Sequence, residues 1–357
     1  MTNYEHPTPS SPADEEHAWD AWPTLFEHVI GLQDIDVDPV DGFDEQAPAL
    51  TGLCCAQSTI KVFHNQDGNN TGETFDTLSK ADRIAKWLLE NLPHNVKILV
   101  GSPVPRTELA ETHSREYLDA LVTGDPEDLA TSSGMSWDEQ LWHAVIASTG
   151  SIRAAALAAW AGRTVAGATS SGLHHARYDR GAGYCTLNGL VVAAKAVLAA
   201  GARRVLVVDF DAHCGGGTAS LIEGVDGIEQ VDVSVFRFDS YESRPDAQLE
   251  VVGADDYLDA VRRALEAVVD AGSVDLVIYN AGMDPHEWAG GVSGITTSVM
   301  RQRDRMVMEW AEAHDLPVAF VMAGGYQGGT WDLDDVAALH GVTFDEALRS
   351  LDRRAAA

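Results

Sequence analysis

Asp209, Asp211 and His213 occupy alternate positions in VLVVDFDAHCGGGT, residues 205–218, where an apolar run gives way to polar side chains. On an extended backbone alternate residues share a side, so two carboxylates and an imidazole can converge on one point. Carboxylate oxygen and imidazole nitrogen suit zinc, and three protein ligands with a fourth position open mark a catalytic rather than a structural site. Three further apolar runs end on reactive side chains. RTVAGATSS leads to His174 and His175, VDLVIYNAG to Asp284, and LPVAFVMAGG to Tyr326. Asp284 is the natural third ligand beside Asp211 and His213, which leaves Asp209 to orient a histidine. Each motif alone is common in proteins without a metal; their joint placement after apolar runs carries the signal.

The elements needed to hold these residues are legible around them. IKVFH, RTVAGATSS, RRVLVVDFD, the region of VDVSVF, VDLVIYN and LPVAFVMAGG read as strands. Between them lie helical patterns: DTLSKADRIAKWLLENL, the Ala-rich WDEQLWHAVIASTGSIRAAALAAWAG, LNGLVVAAKAVLAAG, DDYLDAVRRALEAVVDAG and SVMRQRDRMVMEWAEAH. Short Val-rich runs alternating with helices predict a single α/β domain, a doubly wound and mainly parallel sheet with helices on both faces. Ligands bind such sheets beyond the carboxyl ends of the strands, where the reactive residues fall.

Residues 1–59 are expected to form a partly disordered acidic N-terminal extension, with twelve acidic residues and no Lys or Arg before Lys61. Within it, HAWDAWPTLFEHVI could fold as a short amphipathic helix. Residues 60–357 then form the catalytic domain. A formal charge of −31 argues against a nucleic-acid partner, which would need clustered cations, and favours approach of a cationic substrate. Neither a secretory signal nor an apolar run of membrane-spanning length is visible, so the expected location is the cytoplasm, with no membrane partner. The four cysteines, Cys54, Cys55, Cys185 and Cys214, lack zinc-finger spacing and are expected to stay reduced.

GLHHARYDRGAGYCTLNGL, VLVVDFDAHCGGGT, NAGMDPHEWAGGVSGI and AGGYQ resemble successive signature blocks of the histone deacetylase family, within the arginase/deacetylase superfamily. The similarity extends more weakly through VFHNQDG, LAETHSREYLDAL and GADDYLDAV, over about residues 60–345. The wording of NAGMD and GGYQ is closest to class IV-like and bacterial members. The resemblance implies a zinc-dependent deacetylase or amidohydrolase acting on an N-acylated amine such as acyl-lysine, an acetylpolyamine or a small N-acyl metabolite. Fe2+ is the alternative divalent ion. Asp211, His213 and Asp284 then correspond to metal ligands, and His174 and His175 to the histidines that activate water and protonate the leaving amine. Tyr326 corresponds to the hydroxyl that polarises the carbonyl, and Tyr184 with Gly183 to the substrate channel. Cys185 is the neighbouring family cysteine, and a monovalent cation such as K+ would involve Asp209, Asp211, His213 and Ser234.

Two departures from the family pattern stand out. Gly216 occupies the place of the aspartate that usually supports one histidine, so His175 is expected to lack a carboxylate partner and to have a lowered pKa. RFDSYESRPDAQLEVV replaces the usual aromatic channel segment, which leaves acyl length open. Cys214 is expected to be a packing residue. Two other readings remain: a binuclear manganese ureohydrolase, disfavoured because Gly215 and Gly282 offer no further ligands, and a non-catalytic acyl-ligand or partner-binding homologue, motivated by Gly216.

Overall fold

In a computed structural model, residues 58–65, 76–171 and 173–356 are described. The acidic extension with its candidate helix, Cys54 and Cys55 lie outside the described residues. Eight strands form one sheet: β1 (Ile60–Phe63), β2 (Val96–Leu99), β3 (Val165–Ala168), β4 (Val205–Asp209), β5 (Ile228–Ser234), β6 (Ala247–Val251), β7 (Leu276–Asn280) and β8 (Val318–Val321). Their order across the sheet is β2-β1-β3-β8-β7-β4-β5-β6. Every pairing is parallel.

Among the described residues the main helices are α1 (Asp76–Asn91), α2 (Arg115–Thr123), α3 (Glu139–Gly162), α4 (Gly189–Ala199), α5 (Gly216–Ile222), α6 (Tyr257–Glu266), α7 (Thr297–Ala313) and α8 (Leu333–Ala356), of which α2 packs on α3 rather than on the sheet. Strand periodicity divides the interior into two cores. Leu206, Val208, Val277, Tyr279, Val318 and Phe320 point into the core covered by α1, α6, α7 and α8. Val205, Val207, Leu276, Ile278, Ala319 and Val321 point into the core covered by α3, α4 and α5. An all-parallel sheet buried on both faces follows from these apolar runs, as expected from the sequence.

Helix α3 departs from one expectation. By length and composition it is apolar enough to cross a bilayer, although 67% of its most apolar window is buried inside the fold. Its small face packs on α4 and the sheet, with Ile152, Ala155, Ala156 and Ala159 buried there. Asp138 caps its N-terminus, accepting from the Gln140 and Leu141 amides at 2.8 Å each.

The strand order creates the site. β3 and β4 are consecutive in the chain but lie apart, with β8 and β7 filled in between them. Register places Asp209 opposite both Asn280 and Asp232, and Ala168 opposite Val321. The carboxyl ends of β3, β8, β7 and β4 therefore stand side by side. The loops that leave them carry the two histidines, Tyr326, Asp284 and the Asp211-x-His213 pair.

Candidate active site

Asp211, His213 and Asp284 come together as the sequence spacing requires, with one ligand atom from each lying within 4.8 Å of the others. His213 Nδ1 lies 3.3 Å from Asp211 Oδ1 and 3.1 Å from Asp284 Oδ2. Donor atoms bound tetrahedrally to one zinc ion are separated by about 3.3 Å, so the set is already spaced for a single ion. Backbone amides fix the carboxylates: His213 N–H donates to Asp211 Oδ1 at 3.0 Å, Ala212 N–H to Asp284 Oδ1 at 3.0 Å, and Gly324 N–H to Asp211 Oδ2 at 3.2 Å. Two glycines clear the space. A Cβ at Gly282 would lie 2.4 Å from Asp211 Oδ2, and one at Gly324 2.2 Å from Asp284 Cγ. The chemistry and closeness of the donors fit a divalent cation, and the contact at Gly282 leaves no room for the extra carboxylate a second ion would need.

The charges in this cluster balance internally. Burial opposes protonation of His213, but hydrogen bonds and charges from Asp211 and Asp284 lift it to about 11. Burial would raise Asp211, and the positive His174 and His213 outweigh it and hold the carboxyl below its ordinary range. Burial and the Asp211 charge push Asp284 up. A cation among these groups takes over the role of the His213 proton.

Both histidines are buried, their rings tilted by 38° with centroids 3.9 Å apart. His174 Nδ1 lies 2.8 Å from Asp209 Oδ2, and Asp209 Oδ1 accepts from Asn280 Nδ2 at 2.8 Å. The expectation for His175 is corrected: its Nδ1 lies 3.0 Å from Asp239 Oδ2. Asp239 belongs to the RFDSYES segment that departs from the family pattern, so no local motif flagged it. Arg177 ion-pairs with its other oxygen, and the Gly217 amide donates to Oδ2 at 2.9 Å.

The pKa of His175 is lowered to about 4 by burial and the neighbouring His174 charge, against the raising effect of Asp239. His174 behaves oppositely. Burial lowers its pKa, yet the charges of Asp209 and Asp211 overcome that and raise it to about 10. Nearby carboxylates favour a proton on His174, whereas burial and the His174 charge disfavour one on His175.

The loop bearing the histidines is held from behind. Asn188, the N-cap of α4, donates through Nδ2 to His174 O at 3.3 Å and Ala176 O at 3.2 Å. Thr218 N–H donates to His174 O at 2.9 Å. A Cβ at Gly217 would meet His175 O at 2.4 Å, so the start of α5 and this loop approach at backbone distance. His113 completes the support, with Nδ1 2.8 Å from Arg177 O and Nε2 accepting from Asn188 N–H at 3.0 Å.

Buried cations brace the loops on the other side, and sequence patterns gave no hint of them. Arg303, fully buried, donates to the carbonyls of Phe210 and Gly282, the residues just before Asp211 and two before Asp284. Its charge is met by Asp304 at 2.8 Å. Lys80, also buried, donates to the carbonyls of Ala323 and Gly325 and stands 5.5 Å from the centre of the Tyr326 ring. Burial, then the charges of Asp284 and Asp211, push the Tyr326 phenol well above its ordinary value, so its hydroxyl keeps its proton and remains a donor.

Tyr184 and Gly183 both have positive φ, 60° and 51°. A Cβ at Gly183 would meet His175 Cδ2 at 2.5 Å and Phe238 Cε1 at 2.8 Å. Phe238, half exposed, packs edge-on against His175 with centroids 4.9 Å apart and supplies an aromatic wall from the departing segment. Cys185 and Cys214 are buried and free. Cys214 Sγ donates to Phe236 O at 3.2 Å, which fits a packing role. Ser234 is tied elsewhere: its hydroxyl donates to Asp232 Oδ1 at 2.6 Å. Burial and the nearby Asp209 charge push the Asp232 carboxyl up, a buried acid the sequence reading did not single out.

An all-parallel α/β sheet with this topology and a histidine–carboxylate site at its strand ends defines the arginase/deacetylase class of fold. The solved structure of the HDA15 HD domain superposes with a TM-score of 0.67, covering 82% of this chain and 88% of that one at 20% identity, a likeness of fold. Residues 76–333 match the histone deacetylase domain, and the chain belongs to the histone deacetylase family. Histone deacetylase 2 of Arabidopsis thaliana is 30% identical over 271 residues, 71% of this chain and 69% of that protein. An uncharacterized protein of Picosynechococcus sp. is 32% identical over 243 residues, 64% of this chain and 78% of that one. Family membership and these relatives support a deacetylase, a hydrolase.

Proposed function

We propose that this protein is a zinc-dependent amidohydrolase that removes an acyl group, acetyl foremost, from an N-acylated primary amine. The observation that carries the reading is the meeting of Asp211, His213 and Asp284 within 4.8 Å beside two carboxylate-linked histidines. A divalent ion held by those three side chains supplies Lewis acidity toward water and the acyl oxygen. Neutral His175 takes the proton released as water attacks and returns it to the amine nitrogen. Charged His174 lies beside it, kept in place by Asp209. The Tyr326 hydroxyl donates to the oxygen on which negative charge develops, a contact worth on the order of 3 kcal/mol. Aromatic walls at Tyr184 and Phe238 exclude water around an aliphatic stem.

The substrate class we infer is a cationic amine derivative: acyl-lysine, an acetylpolyamine or a small N-acyl metabolite, favoured by the charge of −31. A monovalent cation near Asp209, Asp211, His213 and Ser234, whose hydroxyl oxygen keeps a lone pair while it donates to Asp232, belongs to the same proposal. Asp239 removes the motive for a non-catalytic reading, because it supplies the carboxylate that Gly216 withholds. The test is a screen of acetyl-lysine peptides and acetylated polyamines with zinc-loaded protein, with amine release as the readout. Turnover of at least one class, reduced by Tyr326→Phe, supports the proposal. Hydroxamate binding without turnover of any acyl amine would overturn it.

A further inference from the structure

The carboxylate that serves His175 stands where a side chain at position 216 would be. A Cβ built on Gly216 would lie 2.6 Å from Asp239 Oδ1, 2.7 Å from Asp239 Cγ and 2.2 Å from the Asp239 carbonyl oxygen. Asp239 and a larger residue at 216 therefore exclude one another in this backbone. The glycine that removes a carboxylate from α5 is the same glycine that admits one from the loop after β5.

Asp239 is held for this purpose from several sides. Its carboxylate is nearly buried, paired with Arg177 through one oxygen and with the Gly217 amide and His175 Nδ1 through the other. Its backbone adopts φ 58°, a left-handed conformation that a non-glycine residue takes up only at a cost. Arg177 and Gly217 would be satisfied by water at a surface turn, whereas the third contact places the acid on one ring nitrogen of His175. The fixed Nδ1–H leaves Nε2 as the basic atom of the ring.

We propose that Asp239 is a positioning residue for proton delivery by His175, relocated from the start of α5 to the loop that also carries the channel wall Phe238. The role rests on the amide-hydrolysis reading above. In that reaction water oxygen bonds to the acyl carbon, the C–N bond breaks, and the water proton passes through His175 Nε2 to the departing amine. An alkylamine cannot leave without that proton. A phenolate can, so loss of the positioning carboxylate should separate the two kinds of substrate.

The experiment compares Asp239→Ala and Asp239→Asn with the parent, all zinc-loaded and checked for metal content, on an acetylated alkylamine and on a phenyl acetate. Expected is a fall in kcat of about 10–100-fold for the amide in Asp239→Ala with KM within about threefold, and a several-fold smaller fall for the ester, which needs His175 as the base toward water but not as the acid toward the leaving group. Asp239→Asn, which keeps an acceptor, should lie between parent and Asp239→Ala. Equal losses on amide and ester, or no loss on either, would overturn the proposal. A second readout needs neither metal nor turnover: the His175 Nδ1–H proton resonance of the metal-free protein, far downfield when shared with a carboxylate. It should move upfield in Asp239→Asn and disappear in Asp239→Ala, and its persistence unchanged in both refutes the role. An inactive parent whose resonance still responds would remove the proposed hydrolase function and leave the positioning contact standing.

Discussion

His174 and His175 are adjacent in sequence, lie with ring centroids 3.9 Å apart and each face a carboxylate through Nδ1, yet the two pairs are constructed differently. Asp209 is the last residue of a central strand, fully buried, braced by Asn280 on the neighbouring strand and therefore fixed by the sheet itself. Asp239 is in a loop, held by an exposed-side arginine and by a glycine that leaves room for it. Their outcomes also differ: one ring is raised to about 10, the other lowered to about 4. Three acidic groups, Asp209, Asp211 and Asp232, act on His174, while burial and the positive charge of its neighbour outweigh Asp239 and Asp211 at His175. A carboxylate at hydrogen-bonding distance does not by itself set the protonation of a buried histidine; the sum of nearby charges does.

The largest effect is expected in the cluster both pairs serve. Asp211→Asn should abolish stoichiometric metal binding and reduce turnover by at least about a thousandfold, measured by metal analysis and amine release, with the far-ultraviolet dichroism unchanged. Next come the groups that touch substrate. His175→Ala and Tyr326→Phe should each lower kcat by about a hundredfold or more while retaining metal. Full activity in both would refute the roles assigned to them. Gly216→Ala tests the loop-built pair alone: its methyl group would sit 2.2 Å from the Asp239 carbonyl, so the loop must shift. A fall in kcat of about tenfold with unaltered metal content is expected, whereas an unperturbed enzyme would show that the contact yields at no cost.

The smallest effect concerns the support beneath both histidines. Burial, partly offset by its bond to the Arg177 carbonyl, holds His113 at about 4 against an ordinary 6.5. The native state therefore resists a proton that the unfolded chain accepts, and stability from this group is full above pH 6.5 and lost as pH falls toward 4. The slope amounts to at most about 3 kcal/mol. His113→Gln should flatten that part of the urea-denaturation profile between pH 6.5 and 4, although it lowers stability at neutral pH. An unchanged slope would exclude His113 as its source.

What was legible in the sequence follows the same division. The six inner strands announced themselves because strands buried on both faces must be apolar throughout, and residues at their ends were easy to align with chemistry. The edge strands β2 and β6 were missed, since VKIL and AQLEV have a solvent-facing side and read as mixed segments. Helix α5 begins in a run of glycines that signals a loop, and its helical course depends on the contact between Gly217 and the histidine loop. Asp284 could be found from its strand. Asp239, Arg303 and Lys80 could not, because their partners are backbone carbonyls or side chains far away in the chain, and a lone charged residue in a polar stretch or helix carries no periodic signature.

The central claim is that three side chains from two strand ends hold one catalytic divalent ion. Metal analysis of the purified protein, alongside Asp284→Asn, addresses it most directly. One zinc or iron per chain in the parent and none retained in the variant is the predicted result; two ions per chain, or a parent that binds none when zinc is supplied, would contradict it.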